Sequence, residues 1–314
     1  MSSKLDQGAG IQFSKGCGQI TPAPRTPLVK KQPNGMALEY GLLKTMGELP
    51  VMPHIIFKAQ EIISDKDSSA KELARVIEVE PSVTTKILKL ANSAYYGLSG
   101  KVSSIRHACS LIGYKTLGEI ITLAAISNMM DKRLKGYELD SGTLWRHSLA
   151  VALGSKNIAK KRYPDLGIAA FTTGIIHDVG KLMLDQQVCD RKGAFELFMG
   201  DGQKTFLDAE KHILGFDHAH IAAEFCHKWN ITKMQSQAVR YHHCPSRSQD
   251  NTLAYILHVA DVIAMRCDLG TGMDSMLYQV EKGALEFLGL RKEDESEIIS
   301  DVYESVGKIE EILR

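Results

Sequence analysis

From Leu43 onward, apolar residues recur every three or four positions almost without interruption, the period of helices that bury one face. No Asn-Gly or Asp-Gly pair joins alternating apolar runs, so hairpins are not expected and the fold class read from the pattern is all-α. Helices are expected to stop at Asp65 to Ser69, Glu80-Pro81, Gly97 to Lys101, Gly113, Lys135-Gly136, Tyr163-Pro164, Gly200 to Gly202, Gly215 to Asp217, Pro245 to Asn251 and Gly270 to Gly272. Most of the segments between these breaks have room for one to five turns. No fixed repeat is present, which argues against a helical solenoid.

Residues 1–37 carry neither period and read as a flexible, solvated tail. A change of composition between Asp131 and Asp140 divides the rest. The expected parts are an N-terminal helical bundle over 38–133, a second helical unit over 134–268, and C-terminal helices over 269–314. In the last part Leu277, Val280, Leu285 and Leu288 share one face, followed by Ile298, Val302, Val306 and Ile309, and both faces are expected to pack on the domain.

The second unit holds all of the eleven histidines except His54 and His107, and several of them interrupt apolar stripes. His147 lies three residues after Leu144 and four before Val151. In Gly174-Ile-Ile-His-Asp-Val-Gly-Lys-Leu182, His177 and Asp178 follow Ile168, Phe171, Ile175 and Ile176, and Lys181 falls on their face if the helical turn continues through Gly180. Asp217 reads as an N-cap, and His218 opens the stripe of Ile221, Ala222 and Phe225, with His220 and His227 off it at the surface. His242 and His243 stand at a helix end that Pro245 helps to terminate. Asp261 sits between Leu257 and Ala264 in the middle of an apolar face.

One buried histidine alone is ordinary, because backbone groups satisfy both ring nitrogens. A buried carboxylate is costly unless paired, and a core would be better served by leucine at Asp261. Together these residues offer imidazole nitrogen and carboxylate oxygen from rigid supports, the donor set of a divalent metal such as Fe, Mn, Zn or Mg. One ion is expected on His147, His177, Asp178 and Asp261. A second would share Asp178 with His218, His242 and His243. Asp178 and Lys181 are the candidate catalytic residues, the lysine neutralising charge that develops on a phosphoryl group.

Composition narrows the function classes. Lys plus Arg number 38 and Asp plus Glu 37, a net charge of +1, so no global field draws the chain to nucleic acid, which is not expected as a partner. The six cysteines show no C-x-x-C spacing and read as reduced thiols. No apolar stretch of 18 residues and no secretory signal are read, so membrane contact is not expected and the cytoplasm is the expected compartment.

The order His, His-Asp, His, His-His, Asp resembles the HD superfamily of metal-dependent phosphohydrolases. Leu49-Pro-Val-Met-Pro53, Glu80 to Tyr95 with its Leu-Ala-Asn-Ser-Ala segment, Ile105 to Gly113, Gly174 to Lys181 and His242-His243-Cys-Pro245 resemble more specifically an HDOD domain, over residues 43 to 265. The resemblance implies an N-terminal bundle packed on an HD-like helical domain. It also implies a bacterial signal-transduction module acting through a signalling protein or a nucleotide ligand. The alternative is an active phosphohydrolase, such as a phosphodiesterase of the HD-GYP type acting on cyclic dinucleotides. The chain departs from that type: Cys244-Pro-Ser-Arg-Ser-Gln-Asp250 follows the histidine pair without Gly-Tyr-Pro, and Thr143 stands where a metal-binding Glu can occur. Asn92 is expected to satisfy backbone groups at a helix C-terminus rather than to touch a ligand. Nothing in the sequence fixes the oligomeric state.

Overall fold

The computed structural model describes residues 41, 54–65, 67–93, 95–97, 100–200, 202–267, 269 and 277–313. The expected tail over 1–37, the Leu49 to Pro53 motif and the break at Gly270 to Gly272 lie outside the described residues. The chain is all-α, and among the described residues the one β feature is an antiparallel bridge between Leu134 and Leu139.

The first half comprises α1 (His54–Ser64), α2 (Ala70–Ile77), α3 (Pro81–Ala91) and α4 (Ile105–Met130). Ser69 starts α2 with a reciprocal cap to Glu72, and Pro81 supplies the first turn of α3, where its missing N–H has no cost. Helix α4 takes the centre and packs on α1, α2 and α3. Asn92 closes α3 as expected: its amide donates to the carbonyls of Leu88 and Val102, both at 2.8 Å, and its oxygen accepts the Val102 N–H at 2.6 Å.

One expectation is corrected in α4. Ile105–Ser127 is long and apolar enough to cross a membrane by length and composition, so the chain does hold a stretch of that kind. Its apolarity has a partner inside the fold. Gly113, at φ +75°, breaks the helical path, and Leu117, Ile120, Ile121 and Ala124 beyond it are buried among the other helices.

The second half is built on α5 (Thr143–Arg162), against which α6 (Gly167–Ile176), α12 (Thr252–Arg266) and α14 (Lys292–Leu313) pack. Between them run α7 (Lys181–Cys189), α8 (Lys192–Met199), α9 (Phe206–Ile213), α10 (His218–Lys228) and α11 (Lys233–Arg240), with the short α13 (Ala284–Phe287) preceding α14. Helix α14 lies on both α5 and α3, and one continuous core runs from Ile55 to Ile309. Val280, Leu288, Ile298, Val302, Val306 and Ile309 are buried in it as expected, whereas Leu277 is 39% exposed.

Candidate metal centre

Each element brings its polar residue inward for a local reason. Helix α5 buries His147 within a face that continues through Val151. Helix α6 ends at His177, and the turn to α7 keeps helical angles at Gly180 (φ −60°, ψ −28°), which carries Lys181 back over Asp178. The lysine Nζ donates to Asp178 Oδ2 at 2.6 Å. Asp217 caps α10 by accepting the His220 N–H at 2.7 Å and so aims His218 at the same interior. His242 and His243 follow the end of α11, and Asp261 projects from the middle of α12 with 1% exposure.

All seven expected ligands meet. His147 Nε2 lies 3.1 Å from Asp261 Oδ1 and 3.7 Å from Asp178 Oδ2, and His177 Nε2 lies 3.5 Å from Asp178 Oδ2 and 3.7 Å from Asp261 Oδ1. On the other side, His218 Nε2 is 3.2 Å from Asp178 Oδ1 and 2.8 Å from His243 Nε2. Donor atoms grouped about one ion at roughly 2.1 Å stand about 3.0–3.5 Å apart. The 3.1, 3.2 and 3.5 Å gaps match such edges, and the 2.8 and 3.7 Å gaps lie 0.2 Å to either side of that range. Three sets have donor atoms that all lie within 4.8 Å of one another: His147, His177 and Asp261; His218, His242 and His243; and, between them, His177, Asp178 and His242.

The decisive feature is what these atoms do not do. His177 Nε2, Asp178 Oδ1, His242 Nε2 and Asp261 Oδ1 are buried and have no hydrogen-bond partner, although other donors and acceptors stand close by without the alignment of a bond. The opposite ring nitrogens are fixed: His177 Nδ1 is 2.8 Å from the Gly174 carbonyl and His242 Nδ1 2.7 Å from that of Val239. With the proton on Nδ1, each ring turns its lone pair inward. Buried polar atoms are otherwise nearly always satisfied, so a divalent cation fits this set.

Electrostatics agree. Burial favours the neutral acid at Asp178, but His177, Lys181 and His218 outweigh it and hold the carboxyl well below the usual range. Burial is likewise outweighed at Asp261 by His147 and His177. Burial works against charge on His218, yet Glu210 and Asp178 lift it to about 10. His242 goes the other way, to about 3, through burial and the neighbouring His177.

Three residues at the centre are not among the expected ones. Glu210 accepts from His218 Nδ1 at 2.7 Å, Tyr137 donates to Glu210 at 2.6 Å, and His258 Nδ1 lies 2.7 Å from the His242 carbonyl. Glu210 follows Leu207 by three residues and precedes Leu214 by four, the same inward spacing that marks Asp261. His220, read as a surface residue, is half-buried with its ring 6.3 Å from that of Phe216, whereas His227 is exposed as expected. Among the described C-terminal residues, Tyr278 covers the centre with its ring 5.6 Å from His243.

Residues 49–245 match the HDOD domain. This chain belongs to the HDOD family. The match contains every candidate ligand of the centre except Asp261, which follows it in α12. Among solved structures, an HDOD domain protein of unknown function from Geobacter sulfurreducens is 21% identical with a TM-score of 0.72, covering 88% of this chain and 99% of that one. A "Putative phosphohydrolase" from Shewanella amazonensis SB2B is 24% identical with a TM-score of 0.68, covering 87% of this chain and 98% of its own. These likenesses establish the HDOD fold. An uncharacterized protein of Treponema pallidum (strain Nichols) is 20% identical over 230 residues, 70% of this chain, which spans only 42% of that relative.

Proposed function

We propose that this HDOD chain is a bacterial signal-transduction module whose His/Asp centre holds one or two divalent metal ions, Fe, Mn, Zn or Mg. The observation that carries the reading is the set of four buried, unpartnered donor atoms on His177, Asp178, His242 and Asp261. His147, His177, Asp178 and Asp261 would hold one ion, and His218, His242 and His243, with Asp178 shared, a second. The module would act through a signalling protein or a nucleotide ligand. The cytoplasm, a reducing compartment, suits the five described cysteines, none of which forms a disulfide among the described residues.

A second reading is an active phosphohydrolase, and Lys181 favours it. A bound divalent metal supplies Lewis acidity and an activated water at neutral pH. The chain's own part would be charge and orientation. Burial opposes the charge of Lys181, but Asp178 keeps it protonated, so a fixed positive charge stands beside the shared carboxylate. The buried walls from α5, α6 and α12 exclude bulk water and strengthen that charge.

Metal analysis of protein purified without chelator, beside Asp178→Ala, tests the first reading. One or two equivalents are expected in the native chain and none in the variant. A native chain free of metal even after reconstitution would overturn the metal centre. Hydrolysis of bis(p-nitrophenyl) phosphate and of cyclic dinucleotides with added Mn or Fe tests the second, with His177→Ala as blank. Turnover equal to the blank would leave a binding module.

A further inference from the structure

Glu210 is fully buried in α9, and a carboxylate in such a place needs compensation worth several kcal/mol. Its partners account for both oxygens. Oε2 accepts the His218 Nδ1 proton at 2.7 Å and the His218 backbone N–H at 2.9 Å, and Oε1 accepts the Tyr137 hydroxyl at 2.6 Å. Tyr137 enters from the loop between α4 and α5, so three separate parts of the chain converge on one ring. That ring turns Nε2 toward Asp178 Oδ1 at 3.2 Å and His243 Nε2 at 2.8 Å.

A neutral imidazole carries one proton, and the nitrogen without it is the one able to bind a metal. His177 and His242 settle this with backbone carbonyls. His218 has a carboxylate in that place, an acceptor that also raises the basicity of the ligating nitrogen. From this we infer that Glu210, held by Tyr137, is a positioning residue: it keeps the His218 proton on Nδ1 and so readies Nε2 for the second ion, on His218, His242 and His243. The inference rests on the metal-centre reading and concerns one of its two positions.

Zinc titration against a chromogenic chelator separates the cases, with circular dichroism and melting of the metal-free proteins alongside. Glu210→Leu removes the acceptor at similar volume and is expected to weaken the second ion by roughly 10–100-fold, leaving the first at native affinity. Glu210→Gln is expected to restore most of the second site, because its amide oxygen can face both His218 N–H groups while its NH2 faces the Tyr137 oxygen. Tyr137→Phe should cost the second site less than Glu210→Leu does. A folded Glu210→Leu protein that binds two ions like the native chain would overturn the inference. So would loss of both ions together in that variant, the mark of a merely structural role. Should Glu210→Leu not fold, histidine nitrogen NMR of the zinc-loaded native protein decides: a His218 proton on Nδ1 supports the inference and one on Nε2 overturns it. A native chain that binds no zinc would instead sink the metal centre, and this inference with it.

Discussion

At the scale of single residues, the centre without metal is a store of charge whose balance depends on pH. His218 sits at about 10, above its ordinary 6.5, because Glu210 and Asp178 outweigh its burial. Its contribution to stability is therefore complete below pH 6.5 and lost as pH rises through about 10. Asp178 and Asp261 lie well below the ordinary 3.8, so theirs is present above that value and lost in acid. His242, at about 3, and His243 and His258, also held down by burial, contribute stability that is present above pH 6.5 and lost as pH falls below it, so the metal-free protein should melt highest near pH 6.5 and lose stability both in acid and toward pH 10. Melting curves in chelator across that range check this, and a melting temperature still climbing at pH 10 would contradict it. The same proton must leave before His218 can ligate, so zinc uptake at pH 7 should release about one proton as the second position fills.

At the scale of elements, two glycines decide how closely the ligand-bearing segments approach. A Cβ on Gly174 would stand 2.5 Å from Ala152 Cα, and one on Gly180 would stand 2.1 Å from the His218 carbonyl oxygen. Neither glycine is needed for an unusual backbone angle; both are needed because backbone meets backbone there. Gly180→Ala should force α7 away from α10, at about 1–3 kcal/mol, and separate Asp178 and Lys181 from His218. Gly193→Ala is the control, since a Cβ there meets nothing within 4 Å and, in the first turn of α8, stability should stay within about 0.5 kcal/mol of native. Zinc stoichiometry and melting of both variants test the contrast, and a Gly180→Ala protein with native stability and two ions would refute it. The stripe rule that exposed His147, His177, His218 and Asp261 in the sequence works because a polar residue at an inward position must be paired. It applies equally to Glu210, but there the acid is flanked by Asp208 and Lys211 and reads as part of a solvated face. Tyr137 was beyond that rule, since the loop between α4 and α5 has no period from which an inward direction can be read. The half-buried His220 shows the same limit from the other side: a residue off the main stripe still met Phe216, because the neighbouring turn folds over it.

At the scale of the whole molecule, the candidate ligands come from α5, the α6–α7 turn, the start of α10, the end of α11 and α12, so an ion there would fasten five parts of the second half. That half is joined to the first at depth. Lys156 on α5 pairs with the buried Glu119 on α4 at 2.6 Å, α14 lies across α3 and α5, and the apolar core is continuous. Metal binding should consequently stabilise the chain as one unit. With metal held at about a thousand times its dissociation constant, the gain is about 4 kcal/mol. For a chain of this size that corresponds to a melting temperature roughly 6 °C higher. Stripping the ion with EDTA, and confirming its removal by elemental analysis, should lower a single transition by about that amount. Asp178→Ala should melt at one temperature with or without chelator. Two separate transitions after stripping would mean that the α4–α5 and α14 contacts do not couple the halves. An unchanged melting temperature in protein proven metal-free would mean that hydrogen bonds, not an ion, hold the histidines where they are.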